Sequence, residues 1–406
     1  MSWEEVLLVD KLESVIDYRG KTPKKSKEGV ITLSAKSVKM GYIDYSKAYH
    51  ISEETYEQFM VRGFPKKGDV LMTTEAPLGC IAKLDREDVA LAQRLLTFRA
   101  NELELNNDYL MYFLMSPRGQ YELKSRASGT TVQGIKKAEF VKVKILLPPL
   151  QTQKRIADIL SAYDDLIENN LKRIKLLEEA AQNIYKEWFV HLRFPGYENT
   201  PVNEETELPE GWKNLKFGSV FNVQNGYAFK SKDYRDKGVP VLRTRDYSSS
   251  FLINISDPIF LPEEFSDSHK KYFVKELDFL LIMVGASIGK NGLVLKKDLP
   301  ALQNQNQWAI RVKSEYSSYG YFKIYCVKSI IDSLLMKRTG AARDFFRASF
   351  IKEMDVQIPN EDVVKQFTKN VKPCIDQINL LLTQNQSLKA ARDILLPRLM
   401  NRTIEV

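Results

Sequence analysis

The chain has 406 residues, 44% hydrophobic and 28% charged, with 60 basic against 52 acidic side chains for a net charge of +8. That length suits two or three domains with full cores, and 11% aromatic residues argues against disorder. No run approaches the roughly 18 apolar residues of a membrane span, and "MSWEEVLLVDKLES" is acidic where a secretory signal is basic, so a cytoplasmic protein without a membrane partner is expected.

Near the start, "VIDYRGKTPKK" carries Gly20-Lys21-Thr22, the closing residues of many phosphate-binding loops. The full motif needs a second glycine where Val15 stands, and a helix where Pro23 stands, so a nucleotide enzyme built on it is the weakest reading. Short β-branched runs follow ("GVITLSA", "GDVLMTT", "KVKILLP"), punctuated by Gly, Pro and Asn, with a helix over "NNDYLMYFLMSPRGQYEL". From Pro149 steps of four and three pick out Ile156, Leu160, Tyr163, Ile167, Asn170, Ile174, Leu177, Ala181, Ile184 and Trp188, the pattern of a coiled-coil seam.

Then the text repeats. "GVITLSAKSV" at Gly29 returns as "GVPVLRTRDY" at Gly238, and "GDVLMTTEAPLGCIAKL" at Gly68 as "LDFLLIMVGASIGKNGLVL" at Leu277. Gly226, in "NVQNGYAFKSKDY", falls near the counterpart of Gly20, with no Lys-Thr after it; both glycines are expected to turn the chain after a first strand. The second seam runs through Phe367, Val371, Cys374, Ile378, Leu381, Asn385, Leu388, Arg392, Leu395 and Leu399, 211 residues beyond the first. Asn170 and Asn385 suit register-setting, Arg392 is a flaw in the seam, and Pro373 predicts a kink or restart. Two matched helices in one chain most simply bury both seams against each other. The repeat divides the chain at 1–149, 150–193 (long helix), 194–207 (linker), 208–359 and 360–406 (second long helix). The fold class is α/β (α+β), with a mixed twisted sheet in each head.

Catalytic patterns are missing. There is no Asn-Pro-Pro-aromatic motif, no complete phosphate loop and no His-Glu-x-x-His. Cys80, Cys326 and Cys374 lie far apart, His50, His191 and His269 read as surface or packing residues, and Asp164–Asp165 as solvated surface, so no metal site is expected. A two-headed, mildly basic molecule with a rigid spacer suits a bipartite duplex DNA target; a coiled-coil adaptor whose heads bind proteins is the alternative.

The stretches "LPPLQTQKRIADIL", "WFVHLRFPG" and "NQSLKAARDILLPRLMNRTI" resemble the conserved regions of the specificity subunit of type I restriction-modification systems. "GASIGK", "SGTT" and "TGAA" are similar to elements of that family's target-recognition domains, although "EAPLGC" and "IPNEDVVKQF" depart from the pattern. The resemblance implies two target-recognition domains separated by an antiparallel helical coiled coil, each reading half of an asymmetric DNA site. It implies no active site in this chain. Two methyltransferase subunits, with S-adenosylmethionine, and restriction/translocase subunits, with ATP and Mg, would be the partners. For phosphate anchoring the expected residues are Lys24, Lys25, Lys136 and Lys137 in the first head, and Lys270, Lys271, Arg338 and Arg343 in the second. For base reading they are Lys36, Arg94 and Arg126, then Arg243, Arg245, Asn304, Gln305 and Arg347, with "LQNQNQW" as the principal reading loop and a polar packing strand as the alternative for that string.

Overall fold

The structure, a computed structural model, describes residues 3–18, 20, 22–129, 132–247, 251–255, 257–336 and 347–406. The chain forms two compact units, Met1–Glu168 with Asn385–Val406, and Asn169–Gln384.

The first unit runs β1 (Glu4–Leu7), β2 (Leu12–Asp17), β3 (Val30–Leu33), β4 (Val38–Lys39), β5 (Tyr42–Ile43), β6 (Tyr49–Ile51), α1 (Glu53–Phe59), β7 (Val70–Thr73), β8 (Ile81–Lys83), β9 (Val89–Leu91) and β10 (Leu95–Ala100). It continues through α2 (Asn107–Met115), α3 (Pro117–Lys124), α4 (Lys137–Phe140) and β11 (Lys144–Leu147) into the long helix α5 (Leu150–Tyr185). An antiparallel sheet is ordered β2-β10-β7-β8, and a mixed sheet β6-β3-β9 pairs β3 with β9 in parallel. All four residues of β7 are buried because both faces of its sheet are covered: Val70 and Met72 pack with α2, and Leu71 packs with the β3 sheet.

The second unit repeats this plan with β12 (Lys213–Lys216), α6 (Phe217–Val220), β13 (Phe221–Asn225), β14 (Val239–Leu242), β15 (Phe260–Leu261), α7 (Phe265–Ser268), β16 (Phe279–Ile282), β17 (Asn291–Leu293), β18 (Leu302–Gln303) and β19 (Gln307–Val312). Then come α8 (Gly320–Met336), α9 (Ala348–Lys352), β20 (Asp355–Ile358) and the long helix α10 (Glu361–Met400). Its sheets, β13-β19-β16-β17 and β15-β14-β18, match the first unit strand for strand, including the parallel pair β14–β18. Phe279 and Leu281 face one core while Leu280 and Ile282 face another, the same alternation as in β7.

Each unit braces its sheet with a buried Arg–Asp ion pair at the same place. Arg99 grips Asp69 with Nε and Nη2, both at 2.8 Å, and Arg311 grips Asp278 at 2.6 and 2.5 Å. Both carboxylates also accept a backbone N–H three residues upstream, from Lys66 and Lys275, each at 2.8 Å.

Three local expectations change. The segment read as one helix over 106–123 is two, because Pro117 has no N–H to continue α2. Ser116 closes the junction: its buried hydroxyl donates to Phe113 O at 2.6 Å and accepts Gly119 N–H at 3.2 Å, starting α3. Ser116→Ala is expected to cost the first unit about 1–2 kcal/mol in urea unfolding, and an unchanged midpoint would refute this role. The second concerns Pro373, where of the kink or restart expected there is no restart: α10 is uninterrupted from Glu361 to Met400. Third, the glycines do not align as the sequence suggests. Asp17 pairs with Leu96 and Asn225 with Trp308, so Gly226 occupies the place of Tyr18. Both also follow the second strand of their unit, not the first.

In the first unit, α5 and α10 run antiparallel. Asn385 Nδ2 donates to Ile167 O at 3.5 Å, and farther along Arg392 forms an ion pair with Asp164. Arg392 is therefore no bare flaw, and Asp164 is not solvated surface: it also accepts the Tyr112 hydroxyl at 2.7 Å. In the second unit Asn170 Nδ2 donates to Gln384 Oε1 at 3.1 Å, and Tyr185 meets the Phe367 ring at 6.3 Å, again antiparallel. Of the expected seam, Ile156, Leu160, Asn170, Ile174, Phe367, Val371, Ile378 and Leu381 are buried. Ile167, Leu177, Ile184, Asn385, Leu388 and Leu395 are half-buried. Tyr185, Phe189, Ile375 and Leu396 are buried beside them, since a straight helix drifts from a strict heptad by about 20° per repeat.

Candidate nucleic-acid interface

In the first unit the connection between parallel strand β9 and central strand β10 is three residues long, Ala92–Arg94. Arg94 holds φ 68°, a left-handed backbone that costs a side chain energy, and its Nε meets Glu75 Oε1 at 2.7 Å. Thr74 N–H donates to Arg94 O at 3.0 Å, and Ile135 N–H to Thr74 O at 3.1 Å. This draws Gly134, Ile135 and Lys136 beside the connection, with Ser128 and Gly134 exchanging backbone bonds of 2.9 and 3.0 Å. The result is a cleft of about 590 Å³ whose lining includes Gly20, Glu75, Gln93, Arg94, Ser128 and Lys136.

The structure thus brings Arg94 and Lys136 together. Lys24, Lys25, Lys36 and Lys137 are exposed, and Lys25 Nζ lies 4.8 Å from the Tyr49 ring centre. Arg126 is occupied differently, bound to the Glu122 carboxylate at 2.9 Å and its carbonyl at 3.0 Å, which closes the end of its own helix.

In the second unit the equivalent connection, Asn304–Asn306, joins β18 to β19. The loop read as "LQNQNQW" is mostly internal. Gln303 and Gln307 are fully buried, with amide donors on Gln224 O (3.1 Å), Gln307 O (2.9 Å) and Leu242 O (2.7 Å). Asn304 is also buried, and its Oδ1 accepts Asn306 N–H at 2.9 Å, so it shapes the turn and Gln305 stands exposed at the centre. Gly226 passes so close that a Cβ there would sit 1.9 Å from Asn304 O, which only glycine permits. Behind it, Tyr227, Phe229, His269 and Tyr272 cluster, with Tyr227 and His269 rings 4.6 Å apart, adjacent to exposed Lys270 and Lys271. This aromatic group was not foreseen from the sequence, although "NGYAF" and "SHKKYF" hold its members.

Arg243 and Arg245 are engaged elsewhere. Asp257 takes Arg245 at 2.6 Å and, through its carbonyl, Arg243. Asp246 caps the same turn by accepting Arg243 N–H at 2.7 Å, and burial raises its carboxyl above the usual range. Lys270 pairs with Asp267 at 3.1 Å, and Arg347 is exposed at the start of α9. Arg338, Arg343 and Lys21 lie outside the described residues. Among the described residues no group of three His, Cys, Asp or Glu side chains is placed to hold a metal, and no helix is long and apolar enough to cross a membrane.

The model of the type I restriction modification DNA specificity domain matches residues 3–179 and again 209–390. The MjaIX specificity subunit of a type I restriction enzyme from Methanocaldococcus jannaschii is 26% identical over 86% of this chain and 81% of its own. The MjaVIII specificity subunit from the same organism is 25% identical over 75% and 72%. In fold, the chain is similar to the crystal structure of a type-I restriction-modification system S subunit from M. genitalium, with TM-score 0.55 at 16% identity over 98% and 96% of the two chains. Two matches to one family model, carried on two units of one topology, establish that the chain belongs to the type I restriction-modification DNA specificity family.

Proposed function

We propose that this chain is the DNA-reading subunit of a type I restriction-modification complex, each unit taking one half of an asymmetric bipartite site. One observation carries this reading: the two units share strand order and register but present different side chains at the same connection, Ala92–Arg94 against Asn304–Asn306. A shared frame gives a common docking geometry, and different side chains give different half-sites. The long helices would set the unread gap and carry two methyltransferase subunits. Methyl transfer, with S-adenosylmethionine, and the ATP- and Mg-dependent steps of restriction would belong to the partners, and the chain itself would be non-catalytic.

Selection of random duplexes by the chain together with its methyltransferase is the test. Two short blocks separated by a fixed unread gap are the expected result, and absence of any sequence preference would overturn the reading in favour of a protein-binding adaptor. Within that experiment Lys24→Ala with Lys25→Ala should weaken all duplexes alike and lower the slope of log affinity against log salt by about two. Loss confined to particular sequences would show that these lysines do not serve as phosphate anchors.

A further inference from the structure

We infer that Gln93 and Gln305 are one position used twice, and that each reads an adenine in its own half-site. The inference rests on the DNA-recognition reading above and names the residue that performs it. The equivalence comes from strand pairing, not from likeness of sequence. Leu33 pairs with Leu91 in the first unit, and Leu242 with Gln303 in the second. On the other side of the connection Leu95 pairs with Thr73, and Gln307 with Ile282. Three residues lie between these anchors in each unit, so Gln93 and Gln305 both fall at the centre. The backbone agrees: Thr74 N–H donates to Arg94 O at 3.0 Å, and Met283 N–H to Asn306 O at 3.2 Å.

Both glutamine side chains are unspent. Neither has a hydrogen-bond partner among the described residues, whereas Gln303, Asn304 and Gln307 around Gln305 are all committed internally. Gln305 is exposed, and half-buried Gln93 lines the cleft beside Arg94 and Lys136. A polar amide held at the same place on two rigid strand ends, with its donor and acceptor both open, is fitted to a planar two-point partner. Glutamine meets adenine that way in the major groove: its carbonyl accepts from N6–H and its amide donates to N7. The neighbouring position differs, Arg94 in one unit and Asn306 in the other, which lets adjacent bases differ while the adenine stays common.

The experiment is duplex selection by the full chain with its methyltransferase, for the wild type, Gln93→Ala and Gln305→Ala. Each variant should lose about 10- to 100-fold discrimination at a single adenine in one block. The other block, read by the untouched unit, should stay as in the wild type and serves as the internal control for folding. Retention of the full motif by either variant overturns the inference, as does relaxation at a base pair other than A·T or a uniform loss over all sequences. A wild-type chain that selects no motif overturns the DNA-recognition reading itself, a result distinct from the other three.

Discussion

Replacing Asp278 with alanine is expected to destabilise the second unit by about 3–5 kcal/mol, because it strands the Arg311 guanidinium in a largely closed site. The Asp278 side chain is only 2% exposed and takes two charge-assisted bonds from Arg311 and one from Lys275 N–H. Arg311 also donates to Gln224 Oε1 at 2.9 Å and Phe273 O at 3.0 Å, tying the central strand β19 to β13 and to the turn before β16. Asp278→Leu combined with Arg311→Met should cost less than Asp278→Ala alone, since the Arg311 guanidinium is then no longer left without its partner. Urea unfolding followed by hydrogen exchange in the second unit would measure this. Equal losses in the single and double variants would mean that the pair contributes nothing beyond its packing. Asp69→Ala should act the same way on Arg99 in the first unit, where the geometry is repeated.

That repeated pair also shows what the sequence reveals and what it hides. "GDVLMTT" and "LDFLLIM" align because their aspartates begin strands buried on both faces, where period-two alternation and full burial leave little freedom. A mixed sheet in each head and the two long helices were legible for that reason, while the division of each head into two sheets and the order of their strands appear only in the structure. Connections carry no such constraint. "ALAQRLL" and "ALQNQNQW" tempt the eye to align Ala90 with Ala301, whereas pairing places Ala90 against Leu302 and so moves every loop residue by one. Pairing places Gln93 at the position of Gln305, and likewise Gly226 at that of Tyr18. Charge alone is silent about partners as well. Arg126, Arg243 and Arg245 satisfy the compositional rule for base readers, and in the structure their guanidinium groups rest on Glu122 and Asp257, partners no local pattern announces. In the polar-rich string, Gln303, Asn304 and Gln307 satisfy backbone groups inside the unit, and only Gln305 of its central residues stands exposed.

Lys323 is a buried cation with no carboxylate partner among the described residues, and it makes the stability of the second unit depend on pH. Its residue is 3% exposed on α8, and its ammonium donates to Leu277 O, in the turn that leads into β16. Burial pulls its pKa down to about 8, outweighing the attraction of Asp278, while Arg311 opposes the charge further. In the unfolded chain a lysine titrates near 10.4. Between these values the unfolded state holds a proton that the folded state has released, so stability rises with pH from about 8 to about 10.4. Below about pH 8 both states are protonated and the whole penalty is present, on the order of 3 kcal/mol. Lys323→Met removes the charge while keeping a long flexible side chain, at the loss of one hydrogen bond worth about 1 kcal/mol. The variant should therefore exceed the wild type by about 2 kcal/mol near pH 7, and that margin should shrink and vanish as pH rises toward 10. Tyrosines such as Tyr247 and Tyr325, whose pKa values burial raises, titrate alike in both proteins and cancel in the difference. Urea midpoints of the two chains at a series of pH values give the margin directly. A margin that does not change with pH, or a variant weaker than the wild type at neutral pH, would show that the ammonium is fully compensated by its surroundings in the folded unit.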